Sequence, residues 1–74
     1  MFRTKEDLID VYGWSVASRL LYIVELLEQG QTKDDIRELL VDHKPKPMMK
    51  PKSFEVLWNR YERISDKIEF VVGR

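Results

Sequence analysis

Eight side chains in the second half of the chain are of types that meet phosphates. Lys44, Lys46, Lys50 and Lys52 fall within His43 to Lys52, a segment holding four lysines, all three prolines of the chain and no acid. Asn59, Arg60, Arg63 and Lys67 follow at a spacing that forms one mainly basic stripe on a helix. Ammonium and guanidinium groups neutralise phosphate charge and release counterions, so a continuous surface of this kind would bind nucleic acid in a salt-dependent way. A plainer reading exists for the lysines, since alternating proline and lysine keeps an exposed linker extended and soluble. Met48 and Met49 lie in the same segment. Their adaptable thioethers suit either a partner groove or a loop folded back on the core.

The wider charge pattern points the same way. Residues 1–42 carry five basic and nine acidic side chains, net −4, while residues 43–74 carry eight basic and four acidic, net +4. The formal net charge of zero thus conceals a dipolar molecule, and such asymmetry favours an electrostatically guided partner. The acids Asp7, Asp10, Glu25, Glu28, Asp34, Asp35, Glu38 and Asp42 read either as a surface for a basic partner or as the solvated faces of helices. Several sit at helix starts, where the dipole favours them. Nothing in their spacing suggests a cleft that would shift their pKa values for acid–base work. His43 reads as a charge complement at the end of an acidic helix, and no orienting partner for it as a general base can be named.

Other chemistries are narrowed by composition. There is no cysteine and one histidine, so disulfides, thiolate metal sites, a cysteine nucleophile and a multi-histidine metal centre are all excluded. No cofactor and no enzymatic activity are expected. The longest apolar run, Leu20 to Val24, ends at Glu25 and is far short of the roughly 18 residues that span a bilayer. The first residues lack the apolar stretch of a signal peptide. The expectation is a cytoplasmic protein with no membrane contact.

The elements that must position these residues are helical. With 74 residues the chain has room for a single helical domain, 1–74, interrupted by the Pro/Lys-rich loop at 43–52. Thr4 followed by Asp7 predicts a first short helix with Leu8, Ile9 and Val11 on its apolar side, and a boundary is expected near Tyr12 or Gly13. From Trp14 to Gln29 the apolar residues form two adjacent stripes, Val16-Leu20-Ile23-Leu27 and Ala17-Leu21-Val24, wider than a surface helix needs. Gly30 is placed for a helix C-terminus. Thr32 opens a third helix, with Ile36, Leu39 and Leu40 apolar, ending near Asp42 before the prolines. Ser53 is expected to cap the last helix, whose face is Phe54, Leu57, Trp58, Tyr61, Ile64 and Ile68. The β-rich tail Glu69 to Arg74 predicts a short strand, pairing with Met1 to Arg3, or packed coil. The fold class is therefore all-α, a small three- or four-helix bundle. Its expected core is Trp14, Leu20, Leu21, Val24, Leu27, Ile36, Leu39, Leu40, Phe54, Leu57, Trp58, Tyr61 and Ile64.

The apolar helix ending at Glu28, the stretch Gln29 to Leu40 and the segment Ser53-Phe-Glu-Val-Leu-Trp-Asn-Arg-Tyr61 together resemble a helix-turn-helix DNA-binding unit over residues 20–61. The resemblance implies that the first two segments form the paired helices and that the segment with Trp58, Arg60 and Tyr61 reads DNA. Here the turn is long, with residues 41–52 between Leu40 and Ser53. The functional expectation is a small regulatory binding protein that contacts DNA through its basic C-terminal half. The alternative is a protein-interaction module, an inhibitor or adaptor of the kind a bacterium or phage encodes. The double stripe of the second helix adds a homodimer expectation, with Val16, Leu20, Ile23 and Leu27 at the interface.

Overall fold

Thr4 and Thr32 open two of the helices by the same device. In each case the threonine hydroxyl accepts from the backbone N–H three residues on, and the aspartate there accepts from the threonine's own N–H. Two otherwise unpaired N–H groups are satisfied reciprocally at each start. The computed structural model describes residues 1–42 and 47–72, and within them the chain forms four helices: α1 Lys5–Tyr12, α2 Trp14–Glu28, α3 Lys33–Leu40 and α4 Pro51–Ile64. A 3₁₀ turn, Ser65–Lys67, follows α4. The all-α architecture is the one the apolar periodicities predict.

Gly13 joins α1 to α2 with φ 84° and ψ 163°, a region essentially confined to glycine. Its N–H still donates to the Ile9 carbonyl at 2.8 Å, so one residue both closes α1 and redirects the chain. Gly30, at φ 91°, ends α2. Its N–H donates to Leu27 O at 3.0 Å, and Gln31 N–H donates to Leu26 O at 3.1 Å, the paired bonds of a Schellman closure.

Helix α2 is central and packs on α1, α3 and α4. One cluster gathers Leu8 of α1, Ala17, Leu20 and Ile23 of α2, Ile36 and Leu40 of α3, and Phe54, Leu57 and Trp58 of α4. Trp58 is clasped between Phe54 and Tyr61, at ring-centroid distances of 5.9 and 5.3 Å, while Lys33 Nζ lies 5.4 Å from its ring, a cation–π contact that ties α3 to α4. Burial, and secondarily the nearby Glu62 charge, raises the Tyr61 hydroxyl pKa above its ordinary value.

Several expectations are corrected. Trp14 is 72 % exposed and Leu39 38 % exposed, so neither belongs to the core. Trp14, Ser18 and Tyr22 recur at four-residue spacing and form a single row on the outward side of α2. Phe2 and Leu8, absent from the expected core, are buried. Helix α4 begins at Pro51 rather than after a Ser53 cap. Proline at the first helical position loses nothing, because its missing N–H would have had no intrahelical partner and its φ is already helical. Helix α3 ends at Leu40, slightly before Asp42. Helix α4 stops at Ile64, so Ile68 is not on its face; it forms an isolated parallel bridge with Phe2. Phe2 N–H donates to Lys67 O at 2.9 Å and Glu69 N–H donates to Phe2 O at 2.8 Å. The pairing of the tail with residues 1–3 exists, but among the described residues it is one bridge and no strand.

The dimer stripe is used within the chain. Leu20 and Ile23 have no exposed surface and belong to the core cluster that also holds Leu8 of α1 and Phe54 of α4, and only Val16 and Leu27 of the four keep any accessibility.

Candidate anion-binding groove

The basic residues are best followed from the loop inward. Met48 N–H and Met49 N–H both donate to the Leu40 carbonyl, at 3.0 and 3.1 Å, so these two residues lie against the end of α3. Met49 is half-buried against the core while Met48 remains 63 % exposed. The turn delivers Lys50 to the N-terminal end of α4, which has no side-chain cap, so the positive end of the helix dipole adds to the lysine charges.

Between α2 and α4 lies a groove of about 620 Å³. Val16 and Arg19 of α2 form one wall; Lys52, Ser53, Val56, Leu57 and Arg60 of α4 form the other; Met48, Met49 and Lys50 close one end. Among the described residues four cations, Arg19, Lys50, Lys52 and Arg60, line it without a single acid. The groove continues into a second depression of about 320 Å³ bounded by Ser18, Arg19, Tyr22, Leu40, Met48, Met49 and Leu57. The two linings together hold four cations, several apolar side chains and one aromatic, Tyr22.

No protein-family model, curated protein or solved structure matches the chain. The chemistry of the groove must carry the functional reading by itself.

Of the expected site residues, the structure brings Lys50, Lys52 and Arg60 together in the groove. Asn59 and Arg63 are exposed on the outer side of α4 beside it, and with Lys52 and Val56 they lie on one helical face. Lys67 is exposed in the 3₁₀ turn beyond α4, away from the groove lining. Lys44, Lys46 and His43 lie outside the described residues. Arg19 is the residue that sequence reasoning missed. It is the only basic side chain between Lys5 and Lys33, an isolated cation in the acidic half, and that isolation was the available signal. Among the described residues no group of His, Cys, Asp or Glu is placed to hold a metal ion, no charged side chain is buried, and no helix is long and apolar enough to cross a membrane.

Proposed function

We propose that this chain is a small regulatory binding protein whose basic C-terminal half, joined by Arg19, engages nucleic acid, DNA in the first instance. The observation that carries the reading is the acid-free set of four cations lining one groove, contributed by α2, the loop and α4. Asn59 and Arg63 extend the same character over the outer face of α4, where amide and guanidinium groups suit base edges or phosphates. The helix-turn-helix resemblance of residues 20–61 adds support. Fluorescence anisotropy of labelled DNA at two salt concentrations tests it. Affinity is expected to fall steeply with salt, and the triple variant Lys50→Gln/Lys52→Gln/Arg60→Gln to bind more weakly with a salt slope shallower by roughly two to three. Affinity indifferent to both salt and the triple variant would remove nucleic acid from the reading.

A second reading, an interaction module for a partner protein, is favoured by the apolar groove surface at Met48 and Val56, 63 % and 52 % exposed. Binding to such a partner would respond to Met48→Ser and Val56→Ser more than to salt.

A further inference from the structure

The row Trp14, Ser18, Tyr22 on the outside of α2 has no role in the core. Trp14 is 72 % exposed and Tyr22 37 % exposed; Ser18 and Tyr22 border the smaller depression that shares Arg19, Met48, Met49 and Leu57 with the groove, and Trp14 continues their row along α2 beyond both linings. A large, mostly exposed aromatic on a helix surface offers a flat apolar face that a planar partner can cover. The two ring positions are separated by eight residues along α2, about 12 Å, and Arg19 lies on the groove side of that row.

The composition of the groove decides which form of nucleic acid fits. A duplex presents phosphates and sugars outward and keeps its base faces within the stack. The exposed apolar side chains Met48 and Val56 would then be dehydrated against charged phosphate without a matching apolar surface, and the phosphate would lose hydration there without a hydrogen-bond partner. A single strand offers both chemistries at once, with phosphates along one edge and bare base faces along the other.

We propose that the groove between α2 and α4 holds a single-stranded segment of nucleic acid. Tyr22, on the adjoining depression, and Trp14, two turns along the same row of α2, are its stacking platforms, and Arg19, Lys50, Lys52 and Arg60 pair with its phosphates. The proposal rests on the nucleic-acid reading above and narrows it from nucleic acid in general to the unpaired strand. Because every base has a π-face, recognition of this kind tolerates many sequences.

The test uses the full chain with a labelled thymidine oligonucleotide of about 12 nucleotides and a duplex of the same length at low salt. The single strand is expected to bind about tenfold or more tightly than the duplex. Binding should quench tryptophan fluorescence through Trp14, since Trp58 is buried. Trp14→Ala and Tyr22→Ala are each expected to weaken single-strand binding about five- to a hundred-fold, while Trp14→Phe and Tyr22→Phe retain most of it. Thermal melts of the alanine variants, which remove exposed rings, establish that the fold is kept. Equal affinity for duplex and single strand, or a single-strand preference that survives both alanine substitutions, overturns this proposal and leaves the nucleic-acid reading standing. Absence of salt-dependent binding to either form overturns both.

Discussion

The two tryptophans have opposite roles, although the helical pattern of the sequence leads one to expect both in the core. Trp58 is 7 % exposed and packed by Phe54, Tyr61 and the Lys33 ammonium. Trp58→Ala is expected to cost about 3 to 5 kcal/mol, comparable to the entire stability of a domain this small. Trp14→Ala removes a side chain that is mostly in water and should change stability by about 0.5 kcal/mol or less. Urea denaturation of the pair checks the contrast, and a large loss at Trp14 would mean that its ring packs on the core. Asp7 offers a pH test at the same scale. The N–H groups of Arg3 and Thr4 donate to its carboxylate and hold its pKa below the ordinary 3.8. A lowered pKa in the folded state means that the contribution is fully present above the unfolded value and is lost as pH falls through the folded one. Asp7→Ala should therefore lower Tm at neutral pH, and the gap from wild type should narrow as pH falls below the ordinary 3.8 and through the folded-state value. A gap that persists in acid would assign the effect to something other than the carboxylate.

At the scale of elements, local chemistry made the helix starts legible and tertiary packing hid the rest. The Thr-x-x-Asp spacing at Thr4 and Thr32 is a sequence signal of a capping box, and both boxes are formed. Gly13 and Gly30 were likewise readable as joints, because each occupies a backbone conformation that side chains disfavour. The outward position of Trp14 was not readable. Apolar residues cover most of the circumference of α2, and which arc turns inward depends on where α1 and α4 dock. Pro51 misled in a different way, since proline forbids the interior of a helix but suits its first position. The groove was only half visible: Lys50, Lys52 and Arg60 stand close in sequence, whereas Arg19 joins them only when α2 packs beside α4. Gly13→Ala gives the prediction for this level. No atom lies near an added Cβ there, so any loss reports backbone strain alone, expected at about 1 to 3 kcal/mol. A variant as stable as wild type would show that the α1–α2 joint can relax to an ordinary conformation.

For the whole molecule, the principal packing question was whether α2 would look outward for a second copy. Its Leu20 and Ile23 are enclosed by the chain itself, so sedimentation equilibrium at micromolar concentration is expected to return the monomer mass of 8.9 kDa. A mass near twice that would require another contact face, and the exposed Trp14 row would then be the first place to substitute. The dipolar charge seen in the sequence becomes, in three dimensions, a cationic groove on a chain of zero net charge. Its attraction for a polyanion is local, and salt should act on it within a Debye length rather than across the molecule. The bridge between Phe2 and Ile68 has a consequence in time as well as in space. It pairs residues from opposite ends of the sequence, so nearly the whole chain must be gathered before its two hydrogen bonds can form, whereas α1 and α2 meet across a single glycine. Closing that longest loop carries the largest entropic penalty of any contact in the fold. The helical hairpin is thus expected to assemble before the clasp between Phe2 and Ile68 closes.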